Sequence, residues 1–150
     1  MVFSRYSSAK LVVIVGATGS QGAALVDHLI ASSSEYRIRA INQDPESDDS
    51  KALATKGVQV FPGDASVPGD VEAALTGAHV LFGTTEGLGL EEEVKIGKSL
   101  VDAAKAAWGV KLFVWSGGDS ESAIATYAKE KDLATVVLPA GSTDFSKVFA

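Results

Sequence analysis

The feature that most constrains this chain is a short apolar run that leads directly into a glycine-rich turn. Residues 10–16 are rich in β-branched side chains and apolar on both faces, which is typical of a strand inside a parallel sheet. Glycines follow at positions 16, 19 and 22, and helical periodicity begins at once. Gly16 permits a tight turn, Gly19 lets backbone approach a phosphate group, and Gly22 lets the helix pack closely on the strand.

The rest of the chain repeats this alternation of short strands and longer helical stretches. Apolar runs predict strands at residues 10–16, 37–41, 58–61, 79–82, 111–115 and 134–138. Helical spacing predicts helices at 21–31, 51–56, 67–75, 91–108 and 120–131, and the polar stretch 43–50 predicts a loop. Strands joined through helices imply right-handed crossovers. The sequence therefore predicts an α/β fold, a doubly wound six-stranded parallel sheet of Rossmann type with strand order 3-2-1-4-5-6.

Length and charge narrow the classes of protein further. The 150 residues suit a single domain over 1–150, with 1–9 as a candidate flexible arm and 142–150 as a short C-terminal tail. Nineteen acidic against 13 basic residues give a net charge of −6, which argues against binding nucleic acid through its phosphates. We therefore expect no nucleic-acid partner.

The cysteine and histidine content argues against a metal site, and the hydropathy of the chain argues against a membrane span. There is no cysteine, and the two histidines, His28 and His79, have no acidic or histidine neighbours at ligand spacing, so we expect no metal site. No apolar run approaches 18 residues, and the N-terminus lacks the pattern of a signal peptide. These observations predict a cytoplasmic protein without a membrane partner.

Residues 15–22, Val-Gly-Ala-Thr-Gly-Ser-Gln-Gly, resemble the fingerprint of atypical short-chain dehydrogenase/reductases, in particular the NmrA-like family. Further resemblances are Asp-Pro at 44–45, the segment 57–64 ending in Gly-Asp, and the fifth strand ending in a serine at 116. Leu-Pro-Ala-Gly at 138–141 resembles the end of the family's sixth strand. Since nine residues follow Gly141, the resemblance implies a shortened member that lacks most of the C-terminal substrate-binding part.

The resemblance also implies a dinucleotide site. Its pyrophosphate would lie over the turn and the helix N-terminus, where N–H groups and the dipole favour anions. Asp64 would lie beside the adenine, with Phe82 and Thr84 near the nicotinamide-side ribose. The residues implied to bind the cofactor are Gly16, Thr18, Gly19, Ser20, Gln21, Gly22, Asn42, Gln43, Asp64, Phe82 and Thr84. Two alternatives stay open. The glycine-rich turn could be a tight turn that binds nothing, and Asp64 could be a turn or cap residue without a role in binding.

The end of the second strand bears on the choice of cofactor. The family commonly has an arginine directly before the Asp-Pro, where this chain has Gln43. An arginine accommodates the 2′-phosphate of NADP, whereas glutamine cannot neutralise it. The surrounding residues are also acidic: Asp44, Glu46, Asp48 and Asp49. Coulomb repulsion therefore predicts NAD rather than NADP, with no bound cofactor as a remaining alternative.

Three residues resemble, in order and nearly in spacing, the catalytic Ser, Tyr and Lys of short-chain dehydrogenases: Ser116, Tyr127 and Lys131. Ligands of a doubly wound sheet bind at the carboxyl ends of the strands, where each following helix begins. Tyr127 and Lys131 instead fall at the end of their predicted helix, roughly 10 Å away from that side. We therefore expect little or no turnover.

Three functions remain to be separated. The first is a dinucleotide-binding, redox-linked regulator that acts through a protein partner, as the resemblance implies. The second is an NAD(P)-dependent reductase whose pocket a partner chain completes, and the third is an interaction module without a cofactor. An exposed apolar patch is predicted from four residues, Leu88, Leu90, Trp108 and Phe145. Trp108 could instead belong to the core, and self-association as a homodimer is expected through the helix at 91–108.

Overall fold

A parallel sheet forms the centre of the computed structural model, which describes residues 9–32, 35–85 and 88–149. Within those residues its strands run in the order β3-β2-β1-β4-β5-β6, all parallel, which confirms the predicted Rossmann topology. The strands are β1 (Lys10–Val15), β2 (Tyr36–Asn42), β3 (Gln59–Pro62), β4 (Val80–Thr84), β5 (Leu112–Ser116) and β6 (Thr135–Val137). The order reverses between β1 and β4, so the carboxyl ends of these two strands form the switch point at which such folds bind ligands.

Helices connect the strands and cover both faces of the sheet. They are α1 (Ser20–Ile30), α2 (Asp48–Thr55), α3 (Pro68–Ala74), α4 (Leu90–Ala106) and α5 (Glu121–Glu130), with a short 3-10 turn at Gly118–Ser120. The helix α2 begins earlier than predicted, inside the stretch 43–50 that we expected to be a loop. The Ser47 hydroxyl accepts a hydrogen bond from the Ser50 N–H at 3.2 Å. The carboxylates of Asp48 and Asp49 stabilise the same end, because they lie at the positive end of the helix dipole.

The side chains of β1 divide the core into two layers because successive residues of a strand point to opposite faces. Leu11, Val13 and Val15 pack in one layer with residues of α3, α4 and α5. Val12 and Ile14 pack in the other layer with residues of α1 and of the C-terminal segment. All five side chains are buried, so β1 is the apolar central strand that its sequence predicts.

The C-terminal segment packs against the sheet and corrects the prediction for Phe145. Phe145 is 1% exposed and Phe149 is 2% exposed, so Phe145 contributes nothing to an exposed patch. The Phe145 ring contacts those of Phe82 and His28, with centroids 6.2 and 5.8 Å apart. The His28 Nε2 also forms a 2.8 Å hydrogen bond with the Phe149 carbonyl oxygen. Residues 142–149 therefore form a docked strap, whereas residues 1–8 of the predicted arm lie outside the described residues.

The other three predicted surface residues are exposed. Trp108 is 97% exposed, which makes its alternative assignment to the core wrong, while Leu88 and Leu90 are 43% and 53% exposed. Leu90 begins α4 and Trp108 comes two residues after its end at Ala106, so the helix separates them by about 25 Å. They consequently belong to two different surfaces and not to one patch.

Candidate functional site

Gly16 forms the turn at the carboxyl end of β1. Its φ of 92° lies in the left-handed region, and its carbonyl oxygen accepts a hydrogen bond from the Gly19 N–H at 3.1 Å. A Cβ at this position would lie 2.8 Å from both the carbonyl oxygen and the Cγ2 of Thr84. The turn thus lies directly against the end of β4, and both its conformation and its packing require glycine.

Gly22 brings α1 against this turn. A Cβ on Gly22 would overlap the Gly16 carbonyl oxygen and would lie 2.8 Å from the Cα of Ala17. The helix begins after Gly19, whose extended backbone (φ −76°, ψ 170°) forms the N-cap without a side-chain capping bond. The positive end of α1 is therefore aimed at the space beyond the carboxyl ends of the strands, where it favours an anion.

Two grooves lie along this edge of the sheet. Groove A, about 480 Å³, follows the ends of β1, β2 and β3 and is lined by several predicted residues: Gly16, Thr18, Asn42, Gln43, Asp64 and Thr84. Groove B, about 330 Å³, lies by the ends of β4 and β5 and is lined by Gln21, Thr84, Ser116, Gly117, Asp119 and Gly141. The residues shared by both are Thr84, Thr85 and Leu88. The grooves meet at the end of β4, and together they form a continuous edge at the switch point of the sheet.

Thr85 lies at this junction and was not among the predicted site residues. In the part of the chain that the structure describes, its Oγ1 is the buried side-chain oxygen without a hydrogen-bond partner. Buried polar atoms are usually paired, so a polar ligand atom at the junction would satisfy this hydroxyl. The sequence offered one signal, its position directly after a strand that ends at the switch point.

Asp64 lines groove A and also stabilises the turn that follows it. Its Oδ1 accepts hydrogen bonds from the Ser66 hydroxyl at 2.7 Å and from the Ser66 N–H at 2.8 Å. These two bonds hold the pKa of the Asp64 carboxyl below its ordinary value, and the smaller cost of desolvation acts in the opposite direction. The group is therefore an ionised hydrogen-bond acceptor at neutral pH.

The segment after β2 forms a turn of its own. The Asn42 Oδ1 accepts a hydrogen bond from the Asp44 N–H at 3.2 Å, and the Asp44 Oδ1 accepts one from the Glu46 N–H at 3.0 Å. The Ser50 hydroxyl donates a hydrogen bond to the Asp44 carbonyl oxygen at 2.7 Å, which closes the turn. Gln43 is exposed and lines groove A.

The electrostatics of both grooves are acidic. None of the described lysines and arginines lines either of them, whereas four carboxylates do: Asp64, Glu92, Glu93 and Asp119. The guanidinium of Arg39, earlier in β2, donates to the carbonyl oxygens of Ala74 and Thr76 at 2.7 and 2.8 Å. Burial and the nearby charge of Arg37 lower the pKa of Arg39, but its ordinary value is so high that it remains a cation.

Two predicted cofactor-binding side chains have other roles. The side chain of Phe82 is fully buried against Phe145 and lines neither groove, so its backbone is the part of this residue that could face a ribose. The side chain of Gln21 is also buried, and its Nε2 donates to the Ser142 carbonyl oxygen at 2.8 Å. Its Oε1 accepts from the Thr84 hydroxyl at 3.3 Å. The Gln21 amide thus connects the first turn of α1 to the strap and to the end of β4.

The structure does not bring the three candidate catalytic residues together. Ser116 lines groove B, and its hydroxyl donates to the Pro139 carbonyl oxygen at 3.2 Å. Tyr127 lies in the last part of α5, and its hydroxyl donates to the Asp102 carboxylate on α4 at 2.7 Å. The Lys131 Nζ lies 5.3 Å from the centroid of the Tyr127 ring.

The environment of Tyr127 is unfavourable for acid–base work. The hydrogen bond to Asp102 is the largest of the effects that raise the pKa of this phenol. A catalytic tyrosine needs the opposite shift, towards the operating pH. Because the pKa in the folded state is raised, the hydrogen bond stabilises the fold fully below the ordinary pKa of tyrosine, and this stability is lost as the pH rises through the raised pKa.

Comparison with known proteins identifies the family. A profile of the NmrA-like family matches residues 8–133, most of the chain. The chain belongs to the NmrA-like family. Among its relatives, the NmrA-like family domain-containing oxidoreductase lnaB of Aspergillus flavus is 35% identical over 118 residues, and FrzB of a Cladobotryum species, similarly described, is 34% identical over 115. The alignments cover 73% and 72% of this chain but 34% of each relative, so the chain spans about a third of their length.

Solved structures confirm the fold of this NmrA-like chain. It superimposes on NmrA, a negative transcriptional regulator, in complex with NAD with a TM-score of 0.73 at 23% identity, covering 88% of this chain and 45% of that one. The NADPH-dependent quinone oxidoreductase QOR2 of Escherichia coli, in complex with NADPH, gives a TM-score of 0.74 at 23% identity, covering 85% and 48%.

Neither a metal-binding cluster nor a membrane-spanning helix occurs within residues 9–32, 35–85 and 88–149 of the NmrA-like chain. No three His, Asp or Glu side chains in these ranges are grouped as they would be around a metal ion. Within the same ranges, no helix is both long and apolar enough to cross a bilayer.

Proposed function

We propose that this NmrA-like chain binds a nicotinamide adenine dinucleotide along grooves A and B, with its pyrophosphate over the turn at Gly16. The observation that carries the proposal is the meeting of the two grooves at the end of β4, against the glycine turn and the N-terminus of α1. This arrangement suits an elongated ligand with two end groups and an anionic centre. The NAD complex of NmrA supports the same assignment by similarity of fold.

The residues of the grooves fit such a group. Glycine at 16 lets the turn lie directly against the end of β4, where a Cβ would clash with Thr84, and the unpaired Thr85 hydroxyl offers a hydrogen bond at the junction. Asp64 and Asn42 supply polar acceptors in groove A, and Ser116 supplies a hydroxyl in groove B. When bound, the nicotinamide ring supplies a hydride donor or acceptor.

Calorimetric titration with NADH tests the proposal with a matched pair of variants. In Gly19→Val, we expect dinucleotide affinity to fall more than tenfold, because the side chain would stand at the anion-facing end of α1. The extended backbone of Gly19 is one that valine adopts without backbone strain. Gly89→Val is the control, since Gly89 is the N-cap of α4 with nearly the same angles and open space at its Cβ.

Binding of NADH to wild type and to Gly89→Val, with loss in Gly19→Val, is the expected result. No heat with either NADH or NADPH would reject the dinucleotide proposal and favour an interaction module without a cofactor. Equal affinity of Gly19→Val and wild type would place the ligand elsewhere.

We further propose that the site prefers NAD to NADP. Groove A has Gln43 at the end of β2 and no cation among the described residues that line it, while Arg39 is held by carbonyl oxygens of another part of the chain. A 2′-phosphate would thus meet acidic neighbours without a counter-charge.

A cation at position 43 should strengthen the binding of NADP. Gln43→Arg is expected to raise NADPH affinity about tenfold, about 1.4 kcal/mol, with little change for NADH. Gln43→Met removes the amide without adding charge and serves as the control. Titration of each variant with both nucleotides checks this; an equal gain for NADH, or none for NADPH, would contradict the assignment.

The activity that we propose is regulatory: redox-linked binding with little or no turnover, and action through a protein partner or self-association. The separation of Tyr127 from groove B and its bond to Asp102 support this. A reductase is the second candidate, favoured by the description of lnaB and FrzB as oxidoreductases. Oxidation of NADH with a quinone as acceptor separates the two, because a regulator should show no steady-state rate above background.

A further inference from the structure

A small pocket lies at the opposite edge of the sheet from grooves A and B. It has a volume of about 180 Å³ and opens among the amino-terminal ends of β1, β2, β4 and β5. Part of its wall comes from the last residues of the strap, Val148 and Phe149. The proposed dinucleotide function does not use this pocket.

The polar part of the lining offers hydrogen-bond donors and positive charge. Lys10 and Lys111 both line the pocket, and neither forms an ion pair with any carboxylate of the described residues. The His79 Nδ1 accepts a hydrogen bond from the Leu11 N–H at 3.0 Å, so the neutral ring carries its hydrogen on Nε2. Two ammonium groups and an imidazole N–H suit a carboxylate, which accepts several charge-assisted hydrogen bonds.

The remaining lining is apolar and fits a ring. Val80 and Phe149 are buried, and Leu112 and Val148 are partly buried. The Phe149 ring meets that of Tyr36 edge to face, with centroids 5.7 Å apart, which holds the wall in place. Since a cavity of about 150 Å³ accommodates benzene, this pocket has room for one six-membered ring.

We propose that this pocket binds a small aromatic monocarboxylate, of the size of benzoate, with the ring among the apolar residues and the carboxylate towards Lys10, Lys111 and His79. A simple phosphate would use the charges and leave the apolar wall exposed. A neutral ring would fill the apolar part and leave both lysines without a counter-charge. The proposal is independent of dinucleotide binding because it shares no residue with grooves A and B.

Titration of the ¹⁵N-labelled protein with benzoate, followed by amide chemical shifts, tests this. We expect saturable shifts at residues of the pocket such as Val80 and Leu112, and none around Gly16. Benzyl alcohol and inorganic phosphate should each bind at least tenfold more weakly. Absence of binding, or phosphate binding as tightly as benzoate, would overturn the proposal.

Charge-matched variants locate the site. Lys111→Met should weaken benzoate binding at least tenfold, whereas Lys129→Met, which replaces another exposed lysine, on α5, should leave it unchanged. His79→Asn keeps an acceptor near the Leu11 N–H and removes the Nε2 donor, and it should weaken benzoate at least threefold. Equal affinities in Lys111→Met and Lys129→Met would show that benzoate binds elsewhere and would overturn the assignment.

Discussion

Gly22→Ala is expected to lower the free energy of unfolding by about 3 kcal/mol. A Cβ at this position would overlap the Gly16 carbonyl oxygen and crowd the Cα of Ala17, and all of these neighbours are backbone atoms that cannot rotate aside. Helix α1 would have to move away from the turn to make room. Elsewhere in a helix, alanine in place of glycine would raise the free energy of unfolding by about 0.5–1 kcal/mol. A decrease in Gly22→Ala would therefore itself indicate the close contact between α1 and the turn.

Gly69→Ala is the matched control for this prediction. Gly69 also lies within a helix, α3, and a Cβ there would meet nothing within 4 Å. Chemical denaturation of both variants should show destabilisation in Gly22→Ala, and in Gly69→Ala either no change or a small gain. Equal stabilities of the two variants would mean that α1 lies further from the turn than the structure has it.

Much of the fold followed from the sequence because its signals are local. The apolar run in β1, the glycines at 16 and 22 and the repeated alternation of elements depend on neighbouring residues, and they gave the strand order. The start of α2 was missed because one side-chain hydrogen bond, from Ser50 N–H to the Ser47 hydroxyl, decides it. A polar, acidic stretch does not distinguish such a capped first turn from a loop.

The candidate site was predictable only in part. Gly16, Thr18 and Asp64 come together at one edge because they follow strands whose carboxyl ends meet there. The resemblance implied Phe82 as a site residue, but the burial of its side chain could not be predicted, since both faces of β4 are buried and period-two alternation then carries no signal. The buried hydroxyl of Thr85 was missed because only the arrangement of neighbouring elements leaves it without a partner.

Phe145→Ala is expected to destabilise the protein by about 3–5 kcal/mol. The side chain is fully buried, packs edge to face on Phe82 and contacts His28, so its loss removes apolar contacts and leaves a cavity between the strap and the sheet. The sequence had suggested an exposed residue, since an isolated phenylalanine in a polar segment gives no periodicity. A large effect would establish residues 142–149 as a structural part of the domain.

Trp108→Ala provides the contrast for Phe145→Ala, because it removes a larger aromatic side chain that is 97% exposed. We expect its unfolding free energy to stay within about 0.5 kcal/mol of wild type. Phe145→Leu should recover most of the loss, since leucine fills much of the same cavity. If Phe145→Ala cost less than about 1 kcal/mol, the strap would not be docked in solution. The wall that Phe149 contributes to the proposed carboxylate pocket would then be lost as well, so this measurement also bears on that site.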